Sequence, residues 1–209
     1  MPAAADLQDY GNVGGNSYDK YGSRNPIARL LMNGFLDAFD ASVARAAPGH
    51  VFEIGCGEGH LSLRLLGRGI DASGMDVEAE VVAEANAASR AAGHGERFAV
   101  RSVYDLAPGE IAADLILCCE VLEHLPDPDR ALQAIAAQDA GWFLFSVPRE
   151  PLWRALNMAR GKYLRRLGNT PGHIQHWSRR GFREMIGRRF DIVEMRSPLP
   201  WSMALCRRR

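Results

Sequence analysis

The sequence predicts an α/β fold: a doubly wound, mostly parallel seven-stranded sheet with an antiparallel C-terminal edge strand. Three observations carry this. Along the first two thirds of the chain, short apolar runs alternate with segments whose apolar residues recur at helical spacing, the order that builds a parallel sheet covered by helices on both faces. A glycine-rich turn follows the first apolar run and leads into a helix, which is where open α/β sheets hold their ligands. The last two strand-like runs, 191–196 and 201–206, are joined by Ser197-Pro198-Leu199-Pro200 alone, and so short a link permits only antiparallel pairing.

The elements follow in order. The first helix opens at Asn25-Pro26, a capping residue followed by a proline in the first turn, where its missing N–H costs nothing. Ile27, Leu30, Leu31, Phe35, Ala38, Phe39 and Val43 keep that helix amphipathic until Pro48-Gly49 ends it. Strand one covers 51–54, and a helix follows the glycine turn over 61–66. Strand two covers 70–75, an Ala-rich helix 79–92, strand three 97–103, strand four 113–119, a helix 129–138, and strand five 142–147. Residues 1–24 are polar and rich in Gly, Asn and Tyr, and read as an arm or lid ahead of a single domain over 25–209.

Composition narrows the function classes. With 209 residues, 47% of them apolar, the chain buries a core without staples, and such a composition excludes disorder as the ground state. No stretch approaches the ~20 apolar residues of a membrane span, and the N-terminus lacks the basic-then-apolar order of a secretion signal. The cysteines Cys56, Cys118, Cys119 and Cys206 form no CxxC pair, which fits a reducing cytoplasm. Lys+Arg and Asp+Glu balance at 25 each, yet residues 1–140 hold 10 basic and 21 acidic residues, and 141–209 hold 15 and 4. That segregation fits an anionic partner near the C-terminal third, or simply two solvated faces.

Glu53-Ile54-Gly55-Cys56-Gly57-Glu58-Gly59 occupies the turn after strand one. Its glycines let the backbone bend sharply and approach a ligand with no Cβ in the way. Asp76, 17 residues past Gly59, ends strand two, where a carboxylate can accept from both hydroxyls of a ribose. A dinucleotide fingerprint needs glycine where His60 stands, and a phosphate-binding loop needs a Gly-Lys-Ser/Thr run that is missing here. The G-x-G-x-G spacing with Glu53 ahead of it resembles motif I of the class I S-adenosylmethionine-dependent methyltransferases. The resemblance extends from about residue 18 to the final strand. It implies S-adenosyl-L-methionine as methyl donor and S-adenosyl-L-homocysteine as product. It also implies a donor site made of Glu53, Gly55, Cys56, Gly57 and Gly59 around the methionine part, Asp76 on the ribose and Val77 beside the adenine. Ser102 and Val103 fall where that family often carries an acid near the adenine amino group, with Ser102 in the acid's place.

Strand four runs into Cys119-Glu120-Val121-Leu122-Glu123-His124-Leu125-Pro126, which resembles the E-V-L-E-H-L signature of the same superfamily and makes Glu120 a donor-side contact. Three readings stay open. Glu120, Glu123 and His124 bind a divalent metal, with His173 as fourth ligand, and the ion lowers the pKa of an acceptor hydroxyl; similar residues ligate metal in ubiquinone-pathway and small-RNA methyltransferases. Alternatively no metal binds and His124 or His173 is the catalytic base, imidazole titrating near neutrality. The plain alternative is that Glu123 and His124 only stabilise a turn.

Residues 149–176 read as an insert on the substrate side. Leu152, Leu156, Ala159, Tyr163 and Leu167 fall on one helical stripe, with Arg154, Arg160, Lys162, Arg165 and Arg166 around it. A basic amphipathic segment serves peripheral membrane contact or an anionic substrate, or is an ordinary packed helix, and Gly161 bends it. The following His173-Ile174-Gln175-His176-Trp177-Ser178 resembles the H-x-x-H-W-S stretch of many family members and brings His173, His176 and Trp177 over the acceptor, with Tyr18 and Tyr21 closing from the other side. The expected function is methyl transfer to an oxygen of a small-molecule or lipid-linked acceptor. The alternatives are an RNA or phosphorylated substrate, which the basic C-terminal third favours, and a non-catalytic nucleoside-binding module.

Overall fold

The computed structural model describes residues 25–209; residues 1–24, where the sequence reading expects an arm with Tyr18 and Tyr21, lie outside the described residues. Seven strands form one sheet in the order β3-β2-β1-β4-β5-β7-β6. The strands are β1 (His50–Ile54), β2 (Asp71–Asp76), β3 (Phe98–Val100), β4 (Ala112–Cys119), β5 (Asp139–Pro148), β6 (Phe190–Arg196) and β7 (Trp201–Arg208). The first five pair in parallel, and β7 runs antiparallel between β5 and β6. The order reverses between β2-β1 and β4, so ligands belong beyond the carboxyl ends of β1 and β4.

Alternating residues of the central strands feed two cores, as the two-residue period of a strand requires. Leu115 and Leu117 point to the face covered by α1 (Pro26–Ala46) and α2 (His60–Leu66), while Ile116 and Cys118 point to the face covered by α4 (Pro128–Ala136) and α6 (Arg179–Ile186). α1 begins as its cap predicts, Asn25 Oδ1 accepting from the amides of Ile27 and Ala28 at 2.9 and 3.3 Å. α3 (Ala79–Ala91) places Val82 and Ala85 on Cys56 and Phe98.

Three elements differ from the sequence reading. Strand three is shorter than 97–103: Ser102 Oγ accepts from the Tyr104 amide at 3.2 Å and caps a 3-10 turn over Val103–Asp105, so Ser102 and Val103 leave the sheet. The basic stripe is no single helix. α5 (Leu152–Ala159) stops where Gly161 adopts φ 70°, its amide donating to Met158 O and the Lys162 amide to Asn157 O, a Schellman ending that uses glycine's freedom. Finally, α6 was not anticipated, although its signals were present: Ser178 Oγ accepts from the Gly181 amide at 3.1 Å, and Phe182, Met185 and Ile186 are buried at helical spacing.

Candidate active site

The turn after β1 is pinned to its neighbours by backbone bonds. The amides of Gly55 and Cys56 donate to Met75 O at 2.8 and 2.9 Å, and the Gly57 amide donates to Asp76 Oδ2 at 2.9 Å. Gly55, Gly57 and Gly59 all have positive φ, at 72°, 50° and 78°. Each glycine has its own reason. A Cβ on Gly55 would strike the Val121 side chain, and one on Gly59 would lie 2.9 Å from Phe98 Cζ, whereas a Cβ on Gly57 would meet nothing within 4 Å. Gly55 and Gly59 therefore serve close packing, and Gly57 presents bare backbone to open space in the cleft.

Asp76 closes this side. Its second oxygen accepts from the Glu78 amide at 3.1 Å, which aims the carboxylate along the strand end beside the glycine turn. Val77, next in sequence, is 66% exposed, a large apolar surface left bare at a strand end. Glu53 is buried and takes no part in the open surface. Its Oε2 accepts from the Ser62 amide and hydroxyl at 3.2 and 2.6 Å, tying β1 to α2, and burial raises its carboxyl to about 7. Burial also pushes the Cys56 thiol up, so that side chain is an inert filler beneath the turn. Gly74 was not singled out from the sequence. It lets β2 pass β1, since a Cβ there would lie 2.7 Å from Glu53 O.

Beyond β4 the expected cluster divides. Glu120 has φ 60° and turns away from Glu123: its Oε1 accepts from Ser146 Oγ at 3.1 Å and its Oε2 from Trp201 Nε1 at 2.6 Å. The other three residues converge, one ligand atom each of Glu123, His124 and His173 lying within 4.8 Å of one another. Backbone bonds bring them together across the sequence, the amides of Ile174 and Gln175 donating to Glu123 O at 2.9 and 3.0 Å. His124 Nδ1 lies 3.0 Å from Gly172 O; a carbonyl only accepts, so Nδ1 carries the proton and the ring's lone pair is on Nε2.

The His173 ring stacks on Trp153 at 5.8 Å and meets His124 edge-on at 4.9 Å. Trp153 is held in turn by Thr170 Oγ1, which accepts from its Nε1 at 2.9 Å, and by Trp201 at 5.6 Å. Neither tryptophan was singled out beforehand, because nothing in their local sequence distinguishes them from ordinary core residues. His176 and Trp177 do not join the cluster as expected. His176 Nε2 lies 2.7 Å from Asn169 Oδ1, and Trp177 packs against the core beneath α6.

Comparison with known proteins gives the family and the fold. The family model described as "Methyltransferase domain" matches residues 26–191. The chain belongs to this family, the class I S-adenosylmethionine-dependent methyltransferases, and is an enzyme of that class. Among curated relatives, a ubiquinone biosynthesis O-methyltransferase of Xanthomonas campestris pv. campestris is 31% identical over 78% of this chain and 69% of its own length. That of Xanthomonas axonopodis pv. citri is 28% identical with the same coverage. The magnesium protoporphyrin IX methyltransferase of Synechocystis, solved with bound S-adenosylmethionine, superposes with TM-score 0.67 at 20% identity over the full length of both chains, a likeness of fold.

Proposed function

We propose that the chain transfers the methyl group of S-adenosylmethionine to a hydroxyl oxygen of a small-molecule acceptor, in its finer form one that is lipid-linked. One observation carries this reading: the segment that supplies Glu123 and His124 meets the glycine turn, Val121 packing on Gly55, and His173 joins those two residues within 4.8 Å. The oxygen transfer named for the relatives supports it.

The open space at Gly57 and the carboxylate of Asp76 fit a nucleoside donor, which supplies a methyl group already activated on sulfonium. The residues' task is then mainly alignment. Asp76 holds the ribose hydroxyls, Gly57 leaves room for the methionine part, and exposed Val77 gives the adenine an apolar wall. On the opposite side a hydroxyl must lose its proton as it attacks. His124, with its lone pair on Nε2, can accept that proton, and such a base is worth ~10²–10⁴ in rate. One oxygen and two imidazole donors within 4.8 Å also fit a divalent cation; Glu123, His124 and His173 would hold it, and it would lower the pKa of the acceptor hydroxyl. Glu120, committed to Ser146 and Trp201, positions the end of β4 instead of completing that set.

The test is incubation with labelled donor and a panel of phenolic and catecholic acceptors, with and without chelator. Transfer to oxygen supports the reading, and transfer to nitrogen or carbon alone overturns it. Activity lost on chelation and restored by an added divalent ion selects the metal; undiminished activity in fully stripped protein selects the base.

A further inference from the structure

The insert between β5 and α6 carries a surface that alignment of donor and acceptor does not use. Residues 151–178 contain no acid, while Arg154, Arg160, Lys162, Arg165 and Arg166 supply five cations. Elsewhere in the C-terminal third, Arg180 pairs with Glu184 and Arg189 with Asp129, both at 2.8 Å. The insert's one carboxylate, Glu150 at its start, accepts from the Arg154 amide at 3.3 Å, and residues 160–168 at its tip carry no acid.

Its tip is a 3-10 turn, Leu164–Arg166, in which Arg165 and Arg166 are exposed between Leu164 at 57% exposure and Leu167 at 69%; Ile174, on the return path, is 55% exposed. This tip is built. Tyr163 and Leu167 are both left-handed, at φ 54° and 50°, a conformation that costs a non-glycine residue free energy and persists only where surrounding contacts enforce it. The amides of Arg166 and Gly168 donate to Tyr163 O at 2.9 and 3.0 Å, and the buried Asn157 Nδ2 donates to Gly168 O at 2.9 Å. The fold thus spends backbone strain to hold two leucines outward in water. Scattered apolar side chains on a surface need no explanation, but clustered ones framed by cations mark a contact site.

Resting on the methyltransferase reading above, the geometry points to this tip as a docking site for an anionic bilayer surface. Leu164 and Leu167 enter the boundary between headgroups and acyl chains, and Arg165 and Arg166 meet lipid phosphates. A nucleic acid would satisfy the arginines but leave the leucines in water, and the exposed apolar groups are aliphatic, not the aromatic rings that stack on bases. The tip is also joined to the cluster. Asn157 Nδ2 donates to Thr170 Oγ1 at 3.1 Å, and the same hydroxyl holds Trp153 against His173. Docking therefore turns the acceptor side of the cleft toward the membrane, where a lipid-linked hydroxyl resides.

Co-sedimentation of the full chain with phosphatidylcholine vesicles, plain or doped with phosphatidylglycerol, tests this. Partition onto doped vesicles is expected to exceed that onto plain ones by about tenfold or more and to weaken with salt. Arg165→Ser with Arg166→Ser should remove most of that gain. So should Leu164→Ser with Leu167→Asn, asparagine tolerating the left-handed backbone. Arg180→Ser with Arg183→Ser on α6 should leave it within about twofold. Equal partition onto plain and doped vesicles overturns the docking site, as does binding untouched by either tip variant. Tight RNA binding lost with the arginines but not the leucines overturns it in favour of a polynucleotide. Calorimetry with S-adenosylmethionine in lipid-free buffer separates the two readings: donor binding without vesicle binding sinks the docking site alone, and vesicle binding without donor binding supports docking while sinking the transfer reading.

Discussion

The two sides of the cleft are built by different means. On the side proposed for the donor, the features between Glu53 and Asp76 are set by backbone: strand ends, positive φ at three glycines, and amides bonded to Met75 O and Asp76. On the side proposed for the acceptor, Glu123 and His173 lie 50 residues apart and meet because the amides of Ile174 and Gln175 donate to Glu123 O and an indole stacks against the His173 ring. A site of the first kind is fixed by local chain geometry. The second depends on a long insert staying in register, so its failures should show in catalysis and stability before they show in donor binding.

The sharpest way to break that contrast is His173→Ala. Methyl transfer should fall about 10²–10⁴-fold, with donor affinity measured by calorimetry changed less than about twofold; donor affinity falling in parallel would show the two sides to be one unit. Next is Gly168→Ala, where a Cβ would collide with the backbone carbonyl of Arg154 at φ 77°. Strain and overpacking together should cost about 2–4 kcal/mol, read as a lowered Tm, with donor binding preserved in the folded protein. Asp76→Ala attacks the other side, removing an acceptor for ribose and freeing the Gly57 amide. Donor affinity should drop roughly 10–100-fold, while the melting temperature moves little.

The smallest effect concerns Glu53, raised by burial to about 7 from an ordinary 4.5. Between those values the folded chain keeps a proton that the unfolded chain has released. Its contribution to stability is therefore full at low pH, falls as pH rises from about 4.5 to 7, and is flat above. The slope is at most about 1 kcal/mol per pH unit. Glu53→Gln should flatten that part of the denaturant-midpoint profile; an unchanged profile would mean that burial is not what governs this carboxyl.

The contrast also explains what was readable in advance. The order of strands and helices was legible because an apolar run between amphipathic segments has few ways to be buried, and the glycine turn because its spacing answers to backbone sterics. α6 was missed although Ser178 caps it, its buried Phe182, Met185 and Ile186 lying among three arginines and a glutamate. Glu120 illustrates the harder case. Its position after β4 places it correctly in the chain, yet the direction of its carboxylate follows from Trp201 and Ser146 on other strands, partners that no local pattern reveals. Trp153 and Thr170, which hold His173, are equally silent in sequence.

What the amino-acid order determined alone was the alternation of strands and helices, the bend after β1 and the acid ending β2, because each rests on interactions among near neighbours: periodic burial, capping, and the freedom of glycine. Only the tertiary structure decided that Glu123, His124 and His173 converge while Glu120 turns aside, and that beyond the bend at Gly161 the insert turns two leucines outward. Those outcomes depend on where segments far apart along the chain come to rest, and a side chain's direction is set by the neighbours it finds there.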